Sequence, residues 1–354
     1  MFQTHPLELP ELRSIIASNL GHKDLTSCVR VSQDWHDSFT PALYKFVVLS
    51  EQGPSMESVK KNNHLIKNLR VLNCIYENQS LTSPQNKVLS SILTNSRLVT
   101  LNLRSNSIGD SGVQALSEAL KANSTMVTLN LWRNSIGSDG TQALAEVLMM
   151  NSTLTSLDLS GNTVEDEGTQ ALAEVLQTNS ALVTLNLSSN SIGVSGVQAL
   201  SEAIKTNSTL TTLNLRDNWV EDDGAKGLAE ALAINSTLKT LHLGDGLIED
   251  NGTRALGRAL MTNAALIFLN LNNNLIGDKG AKALARALRK NVTLTTLRLK
   301  NNSVGDKGAE VLAEALRINS ALVNLDLSRN SIGDHGAQAL AETRETNSVV
   351  LIVN

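Results

Sequence analysis

From Leu98 onward, apolar positions return in a fixed order: L-x-x-L-x-L-x-x-N-x-I, then a glycine, then A-L-x-x-A-L and a closing Asn. The unit is 28 residues long and recurs nine times, opening at Leu98, Met126, Leu154, Leu182, Leu210, Leu238, Leu266, Leu294 and Leu322, with no insertion or deletion. In the unit that opens at Leu182, the alternation of Leu185 and Leu187 predicts a short strand with one buried face. Thr184, Asn186 and Ser188 lie on the other face. Asn190 ends the strand, and its amide is expected to bond backbone groups of neighbouring turns as a ladder. Ile192 closes the core from the loop, and Ala199, Leu200, Ala203 and Ile204 give the stripe of a helix packed on the strand layer. One unit cannot bury its own apolar face, so the units must stack. The predicted fold is an α/β solenoid of parallel inner strands and outer helices. Its unbroken register leaves no room for an inserted catalytic loop, which favours a binding surface over an enzyme.

The helix ends carry their own signals. Gly196 marks a helix start where a Cβ is expected to clash. Asp stands two residues before the repeat glycine at 110, 166, 222, 250, 278, 306 and 334; Ser138 substitutes once, and Val194 breaks the pattern. These Asp residues are expected to cap their helices, at about 1 kcal/mol each. The closing Asn is expected to take the left-handed conformation that many helix ends use. Nine N-x-S/T sequons occur, and five of them, at Asn123, Asn151, Asn207, Asn235 and Asn291, are this closing residue, the others being Asn78, Asn186, Asn251 and Asn301. A structural role therefore outweighs glycosylation. In the sixth unit Gly246 replaces the ladder Asn, with Gly244 and Gly257 nearby, and a local weak point is predicted there.

The units resemble the ribonuclease-inhibitor type of leucine-rich repeat, also found in NOD-like receptors and in the Ran GTPase-activating protein. The resemblance covers roughly residues 65–354. It implies a right-handed horseshoe with strands on the concave face and helices outside. A degenerate unit precedes the regular ones: Ile66, Leu69 and Val71 take the apolar positions, and Cys74 stands at the Asn position. It is 32 residues from the next, so an insertion of four falls around Ser80–Gln85. At the other end Thr343 and Arg344 make the last helix more polar, and V-V-L-I-V-N stops one strand into a tenth unit. That strand either pairs with another chain or marks a chain shortened relative to its relatives.

Before the repeats the pattern changes. Pro10 suits a first helical turn, Gly21 ends that helix, Asp24 caps a second and Ser32 a third. Leu9-Pro10, Ile15, Leu20, Asp24-Leu25, Val31-Ser32, Trp35 and Leu43-Tyr44 resemble an F-box over residues 7–46. Two departures from the family pattern are that Glu11 follows Pro10 directly and that Arg13 stands where an apolar residue is common. The resemblance implies docking on a Skp-type adaptor of a cullin–RING ubiquitin ligase, through Leu9, Pro10, Leu12, Ile15, Ile16, Leu25 and Val31, with the repeats selecting a protein substrate. The plainer alternative is that these helices only cap the first repeat. The expected organisation is an F-box-like three-helix unit at 1–50, a linker and degenerate repeat at 51–97, and the regular repeats plus one strand at 98–354.

Composition narrows the field further. Aromatic residues make up only 3% of the 354, so the core must be aliphatic. A formal charge of −4 gives no global case for nucleic acid or an anionic membrane. Two cysteines cannot make a disulfide framework, no apolar run is long enough to span a bilayer, and the start lacks the pattern of a leader. A cytoplasmic and/or nuclear location is the expectation. The six histidines show no metal-ligand spacing, and no phosphate loop, dinucleotide fingerprint or nucleophile elbow occurs. No cofactor, metal or catalytic residue is therefore predicted.

Aromatic residues are scarce among the repeats, and none takes a core leucine position. Trp132 and Phe268 fall on the outward face of the strands, and Trp219 follows the ladder residue Asn218. Leu247 and Leu275 occupy the position of Trp219 in the next two units, where others use Ser or Thr. Strands stack about 5 Å apart, so these three should form one apolar stripe unless the loop folds inward. Arg216, Arg298 and Lys300 add positive charge to a strand face that is otherwise Thr, Asn and Ser. The predicted partner-binding set is Trp132, Arg216, Trp219, Leu247, Phe268, Leu275, Arg298 and Lys300, for an unknown protein on the concave and loop face. A scaffold or sensor outside the ubiquitin pathway, and an activator of a Ran-type GTPase, are the competing readings.

Overall fold

The computed structural model describes residues 97–343 without a break, the strands Phe46–Leu49, Asn68–Val71 and Val350–Ile352, and Lys61, Leu65, Ile66 and Leu93. Twelve strands among these residues form one sheet in sequence order, every neighbouring pair parallel. They are β1 (Phe46–Leu49), β2 (Asn68–Val71), β3 (Thr100–Asn102), β4 (Thr128–Asn130), β5 (Ser156–Asp158), β6 (Thr184–Asn186), β7 (Thr212–Asn214), β8 (Thr240–His242), β9 (Phe268–Asn270), β10 (Thr296–Arg298), β11 (Asn324–Asp326) and β12 (Val350–Ile352). The register advances by one repeat per strand, Leu185 lying opposite Leu157 and Leu213. β2 is the strand of the degenerate unit, with Leu69 opposite Leu101 and with Ile66 and Leu69 buried. β1 lies beyond it and was not read from the sequence. β12 is the strand of the incomplete tenth unit.

The helices are α1 (Gly109–Ala122), α2 (Ser138–Met150), α3 (Glu165–Leu176), α4 (Val194–Thr206), α5 (Glu221–Ile234), α6 (Asp250–Leu260), α7 (Asp278–Leu288), α8 (Asp306–Leu316) and α9 (Asp334–Thr343). Consecutive helices pack against each other along the whole row. Between the two layers runs one continuous core, in which Leu182, Leu185, Leu187, Ile192 and Leu200 are wholly buried. Burial of one such leucine contributes about 1.5–3 kcal/mol, repeated at every unit.

Two asparagine ladders tie the units together. Asn218 donates Nδ2–H to the carbonyl of Leu187 one repeat back, and its Oδ1 accepts the N–H groups of Asn190 and Ile192. The second ladder uses the closing residues: Asn207 donates to the carbonyl of Leu176 and accepts from the N–H groups of Thr209 and Leu210. These closing asparagines are not left-handed, as the sequence had suggested; Asn207 has φ −69° and ψ 129°, and Asn123, Asn151 and Asn235 are similarly extended. The chain must run straight into the next strand, so the side chain rather than a reversed backbone satisfies the helix end. Asn123, Asn151, Asn207, Asn235 and Asn291 are buried with Nδ2 engaged. Glycosylation at any of them would open the ladder.

The aspartates also act differently from expectation. In α1 to α8 no side chain closes the helix from its own N-cap position. Asp166 Oδ1 instead accepts the N–H groups of Gly193 (2.7 Å) and Gly196 (3.0 Å), at the start of helix α4 in the next unit. Asp110, Asp222, Asp250, Asp278 and Asp306 do the same one repeat ahead. A Cβ on Gly196 would sit 2.8 Å from that carboxylate oxygen, which is why the position is glycine. Where the preceding unit lacks the Asp, the backbone switches. Glu165 follows the Ser138 unit and Glu221 the Val194 unit; both turn left-handed, φ 56° and 53°, and send their N–H forward to the carbonyls of Asn190 and Gly246.

Gly246 leaves a gap in the first ladder. Val164, Ile192, Ile248, Ile276 and Val304 each donate their N–H to an Asn Oδ1 in the next unit. Val220 faces Gly246, which has no such oxygen.

Candidate protein-binding face

Each strand shows two residues outward, and the turn after it adds two or three more. Through most of the sheet these are Thr, Asn and Ser. Repeats five to eight differ. From β7 to β10 the outward positions gather Arg216, His242, Phe268, Arg298 and Lys300 on four neighbouring strands and their turns. The rings of His242 and Phe268 lie 4.8 Å apart, inclined by 40°. The guanidinium carbon of Arg298 stands 5.3 Å from the Phe268 centroid, a cation–π contact. Arg216 Nε donates to Asp245 Oδ2 at 2.8 Å across one repeat. That pair is solvent-facing and contributes at most about 1 kcal/mol, so it orients Arg216 more than it stabilises the fold. Burial, then the charges of Arg298 and Arg216, lower the pKa of His242 below its ordinary value.

Beside this cluster, on the loop row at the end of the strands, Trp219, Leu247 and Leu275 are 54%, 50% and 52% exposed. The loop does not fold inward. It is held open because Trp219 and Leu275 donate their backbone N–H to the carbonyls of Ile192 and Ile248 one repeat back. Leu247 instead takes φ 56°, a conformation that costs a bulky residue about 1 kcal/mol or more. Three large, half-exposed apolar side chains in successive units form an uncovered stripe of the kind that marks contact sites.

Of the sequence-predicted set, Arg216, Trp219, Leu247, Phe268, Leu275, Arg298 and Lys300 come together. Trp132 stands apart, three strands before β7, with the guanidinium carbons of Arg104 (3.9 Å) and Arg133 (4.6 Å) close to its ring centroid. Arg104, Arg133, His242 and Asp245 were not read from the sequence. A signal existed, since Arg104 lies one period before Trp132, and His242 occupies the same outward column as Arg298. The adaptor-facing residues Leu9, Pro10, Leu12, Ile15, Ile16, Leu25 and Val31, like the insertion around Ser80–Gln85 and Arg344, lie outside the described residues. Among the described residues no three His, Cys, Asp or Glu side chains group as a metal site would require, and no helix is long and apolar enough to cross a membrane.

A family model for the leucine-rich repeat matches residues 94–117, 122–145, 151–173, 178–201, 206–229, 262–285, 290–313 and 319–341, more than half of the chain. The chain belongs to the leucine-rich-repeat family. The model passes over the unit that carries Gly246. No curated protein matches the chain. Among solved structures, an internalin from Listeria monocytogenes is similar over 98% of this chain and 94% of its own, at 20% identity and a TM-score of 0.46. The actin-binding site 2 of leiomodin-1 is similar over 43% of this chain and 90% of its own, at 24% identity and a TM-score of 0.36. The repeats make the chain a protein–protein interaction module.

Proposed function

We propose that the chain is the substrate-recognition subunit of a Skp–cullin–F-box ubiquitin ligase, acting by binding and not by chemistry of its own. The observation that carries this reading is the run Leu9-Pro10, Ile15, Asp24-Leu25, Val31-Ser32 and Trp35 ahead of the repeats. A cap requires only an amphipathic face, whereas this run resembles an adaptor-binding motif. In this reading residues 1–50 form the F-box-like unit and residues 51–97 the linker and degenerate repeat. Leu9, Pro10, Leu12, Ile15, Ile16, Leu25 and Val31 face a Skp-type adaptor. The target protein sits on repeats five to eight, with Trp219, Leu247 and Leu275 as apolar anchors and Arg216, Arg298 and Lys300 setting charge preference. Such a ligase works in the cytoplasm and/or nucleus.

The test is co-purification with a Skp-type adaptor of the wild type beside a Leu9→Ala/Pro10→Ala variant. Capture of the wild type alone, with unchanged circular dichroism, supports the ligase reading. Equal failure of both reduces residues 7–46 to a cap and leaves a repeat scaffold. A single-turnover assay with a Ran-type GTPase separates the remaining alternative: acceleration of hydrolysis would replace the ligase reading by a GTPase activator.

A further inference from the structure

On the helix layer, α6 and α7 carry a feature that the strand-face site does not use. Arg254 and Arg258 lie one turn apart on α6, and Lys282 and Arg286 hold the equivalent positions on α7. All four are exposed. Between the two rows runs a groove of about 530 Å³, with Gly257, Met261 and Ala283 along it and Lys290 on its wall. A Cβ on Gly257 would meet the carbonyl oxygen of Ala283 at 3.0 Å, so glycine both permits the close approach of the helices and leaves the groove unfilled.

The charge here is uncompensated. On the other helices cations lie beside carboxylates: Lys121 with Glu118 and Glu146, Lys205 with Glu202, Lys226 with Asp223, Arg317 with Glu342. Arg289, also beside the groove, is held by Glu314. Arg254, Arg258, Lys282, Arg286 and Lys290 have no carboxylate within ion-pair distance among the described residues; on the rest of the helix layer Lys279 in the first turn of α7 and Lys307 of α8 share that state. The acids of these two helices cannot help. Asp250 and Asp278 are committed to backbone N–H groups of the following units. Like charges stacked along and across two helices repel, so this surface is poorer in stability than its neighbours until an opposite charge arrives.

We infer that the groove between α6 and α7 binds an acidic amphipathic segment of a partner protein. Its carboxylates lie along the two cationic rows, and an apolar side chain seats against Met261 and Ala283. Charge complementarity selects this occupant. A nucleic acid would match the charge, but single strands depend on stacking surfaces, and the groove has no aromatic residue. A bilayer needs protruding apolar side chains, whereas the apolar atoms here lie between cations. The surface is on the helix layer, so a segment bound there leaves the strand face free for a second partner.

The probe is a labelled peptide of about 20 residues with Leu at helical spacing and Glu elsewhere, titrated against the full chain by fluorescence anisotropy at low and physiological salt. The expected result is saturable binding that weakens roughly tenfold or more for Arg258→Glu/Arg286→Glu and is reduced for Met261→Asp. Trp219→Ala/Leu275→Ala should bind as the wild type does, and a peptide with Gln in place of Glu should not bind. Circular dichroism and thermal melts establish that each variant is folded. Absence of binding by the Glu peptide, or equal binding by the charge-reversed variant, overturns the inference. Tighter capture of a single-stranded DNA of similar length, or of phosphatidylserine vesicles, overturns it in favour of a general polyanion or membrane surface.

Discussion

Asp222 Oδ1 accepts the backbone N–H of Gly252 at 2.7 Å, so the first turn of α6 is closed by a side chain from α5. The same oxygen accepts the N–H of Glu249 at 2.9 Å and holds Glu249 in an extended conformation, φ −103°. The cap belongs to the pair of repeats and not to either one. It couples the solenoid along its length, because loss of one Asp removes a bond from the next unit.

Two substitutions test this coupling. Val194→Asp should supply the acceptor that α5 lacks, release Glu221 from its left-handed conformation and raise stability by about 1 kcal/mol. Asp222→Ala should cost more than Asp166→Ala, about 1 kcal/mol more, because it drives Glu249 left-handed whereas the latter affects Gly193, which tolerates that conformation. Urea unfolding of the three variants gives the order; equal costs for the two Asp variants would refute it.

The unit around Gly246 should be the least protected of the central repeats. Hydrogen exchange is expected to be faster at Val220 and across residues 234–261 than in the flanking units. Gly246→Asn restores the missing oxygen. Its Cβ would come 3.0 Å from the carbonyl of Leu243 and 3.4 Å from Val220 Cβ, so a small shift suffices. Slower exchange at Val220 and a gain of roughly 1 kcal/mol are the expected outcome; exchange already equal to that of neighbouring units would dismiss the weak point.

Leu247 separates stability from binding. Its left-handed backbone suits glycine, so Leu247→Gly should stabilise the chain by up to about 1 kcal/mol while weakening capture of a partner on the strand face. Trp219→Ala should weaken capture without changing stability beyond about 0.5 kcal/mol, the side chain being half exposed. A Leu247→Gly variant that loses stability would show that the loop needs the leucine for packing.

His242 gives the strand face a pH dependence. Its folded pKa lies below the ordinary value of 6.5, because burial and the nearby Arg298 and Arg216 disfavour the charged form. The unfolded chain therefore binds the proton more readily, and stability rises with pH in this range. The contribution is complete above about pH 6.5 and is lost as pH falls toward the folded pKa. His242→Gln should flatten the melting temperature between pH 7 and 5 relative to the wild type; parallel curves would rule out this role.

The repeat period, the strand and helix assignments, the parallel order, the aliphatic core and the strand of the degenerate unit around Leu69 were all legible in the sequence, while Cys74 lies outside the described residues. Each follows from one local pattern repeated in register, so a single correct reading transfers to every unit. The exposed stripe of Trp219, Leu247 and Leu275 was legible for the same reason, as a departure from a fixed position. What the sequence could not assign was the partner of each polar group. Asp110 and its equivalents look like ordinary helix caps in one dimension, because nothing in a single unit says that the nearest unsatisfied N–H belongs to the next. The closing asparagines, the backbone switch at Glu165 and Glu221, and the tilted ring contact of His242 with Phe268 are likewise decided between repeats. Hydrophobic periodicity fixes which residues face inward, since burial needs only a face; hydrogen bonds need a position and a direction, and only the stacked tertiary structure supplies those.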